Sequence, residues 1–293
     1  MKISPVTKIV GVFGYPIAHT LSPLFQNAAF KELGLNFIYF PFLVKPQDLK
    51  KATEAIKALN MVGINVTIPY KKTVLPYVDE LSPEAKKIGA VNTIHHCQGK
   101  LIGYNTDGEG FINSLREEGR FEPEEKNVYL LGAGGAAYGI SHSLIKAGIK
   151  SLTLTNRTKE KGELLLNHLK RVFPQRCLLR FIEFHQRNSP TLLKEIDLLV
   201  NTTSVGMNAN DSLLINPGIF PRKIFIYDIV YNKNGKTKLM EVAEKRKLPC
   251  LGGEEMLIYQ GAVSFEIWTK RKAPIKIMKK AIREKNAKIP YCR

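Results

Sequence analysis

An α/β fold in two parts is predicted by three features of the sequence. Short apolar runs alternate with amphipathic stretches along most of the 293 residues. One apolar run, NVYLL at 127–131, leads directly into a glycine-rich turn. The last two amphipathic stretches have no apolar run between them, so they add no strand and are expected to pack back on an earlier element. Alternation of this kind implies parallel strands joined by right-handed crossovers.

KIVGVF (8–13) reads as a strand. SPLFQNAAFKEL (22–33) reads as a helix, with Ser22 as N-cap and Pro23 at the first helical position, where a missing N–H costs nothing. NFIYFPFL (36–43) is a strand, and Leu49, Ala52, Ile56 and Leu59 share one face of a helix over 46–59. GINVT (63–67) is a further strand, and the first α/β unit closes by about residue 104. The second unit starts at NVYLL, an apolar run short enough for a buried parallel strand. A helix over 136–147, a strand over 151–155, a helix around 158–171 and strands over 178–184, 196–201 and 223–230 follow. The closing stretches, 256–269 and about 273–286, read as two helices.

Composition narrows the class. Hydrophobic residues make up 44% and aromatics 9%, ordinary for a soluble globular protein. No apolar run reaches the roughly 18 residues a membrane helix needs. The N-terminal apolar stretch is short and lacks a small-residue cleavage site, so a cytoplasmic protein without a signal peptide is expected. Cys97, Cys177, Cys250 and Cys292 lie far apart and form no C-x-x-C, and the six histidines are scattered, so neither disulfides nor a metal site is expected. The formal charge of +18 is spread along the chain without a nucleic-acid-binding motif. Its densest part, from Lys270 onward, holds ten Lys/Arg against Glu284 alone, and Ile275, Met278 and Ile282 recur there at helical spacing. That pattern fits a docked helix with a solvated basic face. A positive protein attracts small anionic ligands; neither nucleic acid nor membrane is expected as a partner.

The turn after NVYLL is Gly132-Ala133-Gly134-Gly135-Ala136-Ala137, a G-x-G-x-x-A pattern between a predicted strand and a predicted helix. The first glycine permits the tight turn, the second lets backbone approach a pyrophosphate, and Ala137 permits close helix–strand packing. The helix start supplies free N–H donors and a positive dipole end. This predicts a Rossmann-type dinucleotide-binding domain. An Asp or Glu about 20 residues on usually selects NAD by accepting from a ribose hydroxyl. Here the second strand ends in Asn156-Arg157-Thr158, with Lys159 and Lys161 beyond. A carboxylate would repel a 2′-phosphate, whereas arginine and lysine bind one, so NADP is the expected cofactor.

Three polar clusters lie outside that unit: Gly14-Tyr15-Pro16-Ile17-Ala18-His19-Thr20-Leu21-Ser22-Pro23, Asn65-Val66-Thr67-Ile68-Pro69-Tyr70-Lys71, and Ala90-Val91-Asn92-Thr93 with Tyr104-Asn105-Thr106-Asp107-Gly108. Each falls at a strand end or loop, where ligands bind in open α/β sheets. They offer hydroxyls for a carboxylate, amides for hydroxyls, and one Lys with one Asp for proton chemistry.

These clusters, with GAGGAA, the N-R-T turn, Asn201-Thr202-Thr203-Ser204-Val205-Gly206-Met207 and Met256-Leu257-Ile258-Tyr259-Gln260-Gly261, resemble in order and spacing the shikimate dehydrogenase family. The resemblance covers nearly the whole chain. It implies an N-terminal substrate-binding domain (1–106 with 253–293), an NADP-binding domain (107–252), and C-terminal helices that return to the first. It also implies NADP-dependent, reversible reduction of 3-dehydroshikimate to shikimate, in the biosynthesis of chorismate and aromatic amino acids, by a monomer or homodimer. Lys71 and Asp107 would be the catalytic pair. Thr20 and Ser22 would hold the substrate carboxylate, Thr67, Asn92 and Gln260 the ring hydroxyls, and Asn65 and Tyr231 would line the site. Gly132, Ala133, Gly134, Gly135, Ala136, Asn156, Arg157, Thr158, Lys161 and Thr203 would bind cofactor, with Gly206 and Met207 near the nicotinamide.

Plainer readings stand beside these. Asn65, Thr67 and Asn92 suit loop capping, Thr203 a turn, Met207 a core, and Lys71 with Asp107 a surface salt bridge. An NAD-using quinate/shikimate dehydrogenase and a catalytically inactive regulator are the alternatives at the level of function. Three positions depart from the family's habit: Thr20 replaces serine, Gln26 a frequent histidine and Lys233 a frequent proline.

Overall fold

β1 (Lys8–Gly14) is an interior strand of the first sheet, and its five residues from Val10 onward are buried. The computed structural model describes residues 3–208, 210–231 and 236–288, so Lys233 and Cys292 lie outside the described residues. The chain divides into two units, Met1–Gly110 with Leu257–Arg293, and Phe111–Met256.

In the first unit β1 is followed by α1 (Ser22–Glu32), β2 (Phe37–Leu43), α2 (Leu49–Ala58) and β3 (Gly63–Val66). β4 (Glu80–Leu81), α3 (Pro83–Ile88), β5 (Thr93–Cys97), β6 (Lys100–Tyr104) and the start of α4 (Asp107–Glu117) complete its N-terminal part. The sheet order is β2-β1-β3-β5-β6-β4. Its β2, β1 and β3 are parallel as expected, but β5 runs antiparallel to both β3 and β6, so the sheet is mixed. The β5–β6 hairpin turns at Gln98 and Gly99, both at positive φ (51° and 75°), the backbone of a tight two-residue turn. Gln-Gly is a weaker signal than Asn-Gly, which is why the hairpin is not legible beforehand. The N-cap expectation for Ser22 is corrected: Ser22 is already helical and Leu21 is the cap residue, without a side-chain bond. Thr20 Oγ1 accepts the Ser22 N–H at 3.3 Å instead.

The second unit carries β7 (Asn127–Leu131), α5 (Gly135–Lys146), β8 (Ser151–Thr155), α6 (Lys159–Val172), β9 (Leu178–Ile182), α7 (Pro190–Lys194), β10 (Leu198–Asn201), β11 (Phe225–Asp228), α8 (Lys238–Lys245) and β12 (Cys250–Gly252). Its sheet, ordered β12-β11-β10-β7-β8-β9, is parallel throughout. That order is the doubly wound one whose direction reverses between its first and fourth strands, here β7 and β10. Leu130, Leu152, Leu154, Leu198 and Leu199 are fully buried, which accounts for near-continuous apolar strands.

The last elements are α9 (Gly253–Thr269) and α10 (Ile275–Lys288), and from Leu257 onward they belong to the first unit. Phe265 stacks on Phe30 of α1 with centroids 5.1 Å apart, and Trp268 donates its indole N–H to Ile94 O at 3.0 Å. Buried Met278 and Ile282 supply the apolar stripe of α10. Gly110 in α4 has no room for a side chain, since a Cβ would lie 2.4 Å from the Gln260 backbone nitrogen. Close approach of the two helices brings Gln260 beside the start of α4.

Candidate active site

In the first unit Lys71 Nζ donates to Asp107 Oδ2 at 2.5 Å. Their side chains are only 15% and 4% exposed, so this is no surface salt bridge. Asp107 opens α4, where a negative charge meets the positive end of the helix dipole. Its other oxygen accepts from Asn92 Nδ2 at 2.9 Å. The same Asn92 amide approaches Thr106 Oγ1 (2.9 Å) and Gln260 Oε1 (3.2 Å). Lys71 is fixed from behind: Val91 N–H donates to its carbonyl at 2.7 Å, and the preceding Tyr70 hydroxyl donates to Val44 O at 2.5 Å.

Asn65 lies one layer beneath. Its Oδ1 accepts from the Tyr39 hydroxyl at 2.8 Å, and its Nδ2 donates toward Asn92 O, Thr93 Oγ1 and Ser264 Oγ at 3.0–3.1 Å. Both ends of this amide are engaged by protein groups, so Asn65 is held in place by its neighbours. Tyr39 and Ser264 are members of the network that sequence reasoning missed, and Thr93 and Thr106 are members that it quoted in a polar cluster without giving them a role. Ser264 had a signal: it stands four residues after Gln260, on the same helix face.

Ser22 is buried at the start of α1, Thr20 half-buried before it and Thr67 half-buried after β3. One turn beyond Ser22, fully buried Gln26 donates from Nε2 to Gly261 O at 2.8 Å, while its Oε1 has no partner. Gln26 thus ties α1, which carries Ser22, to α9 next to Gln260. Tyr231 belongs to the second unit, where burial raises its phenol above the ordinary range.

In the second unit the glycine turn sits at the strand-order reversal. Gly132 has φ 107°, and a Cβ there would lie 2.9 Å from Thr202 Oγ1 and from Thr203 Cγ2. Gly134 is the extended N-cap residue of α5, a Cβ on it would meet nothing within 4 Å, and no side chain caps the helix. Free N–H donors beneath open space suit a pyrophosphate. Asn156 joins this turn to the next, accepting from Ala133 N–H at 3.2 Å and donating to Thr158 O at 2.7 Å. Arg157, Thr158 and Lys161 are exposed beyond β8. These residues fit a dinucleotide with a phosphorylated ribose.

The turn after β10 is held from below. Asn201 Oδ1 accepts from the Thr203 N–H (3.1 Å) and hydroxyl (2.8 Å), and its Nδ2 donates to Val205 O (3.1 Å) and Asp228 Oδ1 (2.9 Å). Ser204 and Met207 are exposed at its tip, Met207 to 47%, so Met207 is not a core residue. Burial pushes the Asp228 carboxyl up to about 6, against bonds from Thr237, Val230 and Asn201 that pull it down. A raised acid contributes stability that is fully present below its ordinary value of 3.8 and is lost as pH rises through about 6. Relative to an Asp228→Asn variant, the unchanged chain should lose about 2 kcal/mol of unfolding free energy between roughly pH 4.5 and pH 7.5. Parallel denaturant titrations of the two across that range check this; identical pH slopes would contradict it.

Among known proteins, the shikimate dehydrogenase substrate binding domain matches residues 12–94, the shikimate/quinate 5-dehydrogenase domain residues 116–238, and the shikimate 5′-dehydrogenase C-terminal domain residues 253–283. A shikimate dehydrogenase (NADP+) of Methanopyrus kandleri is 41% identical over 97% of this chain and 98% of its own. The chain belongs to the shikimate dehydrogenase family. Among solved shikimate dehydrogenases, one in complex with NADP+ superposes with a TM-score of 0.89 at 38% identity, covering 97% of both chains. Another, from Listeria monocytogenes in complex with shikimate and NAD, has a TM-score of 0.87 at 32% identity, covering 96% of this chain and 98% of that one. Among the described residues no helix is long and apolar enough to cross a membrane, and no group of three or more His, Cys, Asp or Glu is placed to hold a metal ion.

Proposed function

We propose that this chain is a cytoplasmic, NADP-dependent shikimate dehydrogenase that reversibly reduces 3-dehydroshikimate to shikimate. The observation that carries the reading is the buried Lys71–Asp107 pair, held by Asn92 beside Gln260. When bound, the nicotinamide supplies hydride. Lys71 as ammonium donates a proton to the substrate oxygen as negative charge develops there. Asp107 orients that ammonium through Oδ2, and Asn92 orients Asp107 through Oδ1. Asn92, Gln260 and Thr67 receive the ring hydroxyls, and Thr20 and Ser22 the carboxylate. The turn Gly132–Ala136 takes the pyrophosphate, through the N–H groups of Gly134, Gly135 and Ala136 at the start of α5. Arg157, Thr158 and Lys161 take the 2′-phosphate, with Asn156 fixing their turn. Thr203, Gly206 and Met207 form the nicotinamide surface, and Tyr231 completes the substrate surroundings.

Loss of NADPH absorbance on mixing with 3-dehydroshikimate tests the reading; no turnover, or faster turnover with NADH and quinate, would reject it. The carboxylate contacts are tested separately. Ser22→Ala should raise the shikimate KM about tenfold, the scale of one hydrogen bond to a charged group, and leave NADP binding alone. Thr20→Ser should be tolerated, because the hydroxyl survives. A shikimate methyl ester that reacts as well as the acid would rule these contacts out.

A further inference from the structure

Asp228 and Asn201 end adjacent strands, paired across β11 and β10, at the carboxyl edge of a parallel sheet where ligands bind. Asp228 is fully buried. Its Oδ1 accepts from Asn201 Nδ2 at 2.9 Å and Val230 N–H at 3.1 Å, and its Oδ2 from the Thr237 hydroxyl at 2.6 Å. Thr237 in turn caps α8, accepting the Met240 N–H at 3.3 Å. One carboxylate therefore joins two segments. Through Asn201 it holds the turn Thr203–Val205, and through Val230 and Thr237 it holds the chain that leaves β11 and enters α8. A side chain at Gly206 would touch Thr237, with Cγ2 3.5 Å from the added carbon, so the two segments meet beneath the turn.

A buried carboxylate with hydrogen-bond donors but no cation as a partner among the described residues is an expensive way to fasten a turn. Local choices that work against stability concentrate where a site has to be held in one geometry. Here the bonded chain ends at exposed Ser204 and Met207.

We infer that Asp228, with Thr237, is a positioning residue that sets the Thr203–Met207 turn for the nicotinamide half of the cofactor, without touching the cofactor itself. The inference rests on the proposed nicotinamide role of that turn. Asp228→Asn keeps size and shape but replaces an acceptor oxygen with a donor. Thr237→Val removes only the hydroxyl. Each should lower kcat for 3-dehydroshikimate reduction about tenfold and raise the Kd of NADPH. The Kd of adenosine 2′,5′-bisphosphate, which lacks the nicotinamide half, should stay within twofold. A general loosening of the unit would weaken both ligands together.

The test is isothermal titration of the two ligands and steady-state turnover on the full chain. Normal kcat in both variants would overturn the inference, as would parallel loss of NADPH and bisphosphate affinity. If Asp228→Asn does not fold, Thr237→Val alone decides by the same readouts. Gly206→Val places bulk on the proposed nicotinamide surface and guards the underlying reading. Full turnover in that variant would reject the role of the turn, whereas impaired Gly206→Val with normal Asp228 and Thr237 variants would reject only the positioning role.

Discussion

Lys71→Ala is expected to lower kcat by about 10²–10⁴-fold, the usual contribution of a general acid–base group. The structure makes the substitution clean. The Lys71 carbonyl is held by Val91 N–H and the Tyr70 side chain by Val44 O, so the loop keeps its shape without the ammonium. Asp107→Ala should cost a comparable factor, because Lys71 then loses the oxygen that aims it. The double variant should be little worse than either single one, since the two act as a unit. Shikimate and NADPH should still bind, held by other groups. Steady-state kinetics with direct titration of both ligands checks all three variants. A near-normal kcat for Lys71→Ala would leave the proton donor unidentified and reduce the pair to a structural ion pair.

Arg157→Ala should weaken NADP(H) by about ten- to hundredfold while changing NAD(H) little, from the ~1.5–3 kcal/mol typical of a hydrogen bond to a charged group. Arg157 is exposed at the turn after β8, and Asn156 fastens that turn to the glycine loop by its own bonds. Truncating the arginine therefore removes a charge without dismantling the turn. The experiment is a pair of binding titrations, one per cofactor. Equal losses for both would show that Arg157 does not meet the 2′-phosphate and would reopen the NAD-using alternative.

The parallel unit was the more legible half of the fold. Its inner strands β7, β8, β10 and β11 are buried on both faces and mostly stand out as apolar runs, and a G-x-G-x-x-A turn between strand and helix has few other uses. The mixed sheet hid its antiparallel half. β5 reads Thr-Ile-His-His-Cys, and its histidines spend their Nδ1 atoms on Val62 O and Met61 O, a use that no periodicity announces. The start of α1 was misread at Ser22 because serine before proline is the usual cap signal, yet here Thr20 makes the bond. Within the candidate site the sequence named Lys71, Asp107, Asn92 and Gln260 through their motifs. It placed Thr93 and Thr106 in a polar cluster without a role and passed over Ser264, because their hydroxyls matter only once folding puts them under those amides. Asp228 escaped for the same reason, since nothing in a strand-end aspartate foretells that both its oxygens will be enclosed.

The junction of Asn92 with Gln260 spans 168 positions of chain, and that of Asn65 with Ser264 spans 199. In topological terms the second unit is an insert in the first, a continuous domain nested within a discontinuous one. The order of synthesis then matters. The segments bearing Asn65, Lys71 and Asn92 leave the ribosome long before α9, and until it arrives the amides of Asn65 and Asn92 lack Ser264 and Gln260. Contacts so distant in sequence form late, because the closure entropy of the intervening chain has to be met first. The α9 side of the site, Gln260 and Ser264, is therefore among the last parts of this molecule to be assembled, and a nascent chain can carry a finished dinucleotide fold well before it carries a complete active site.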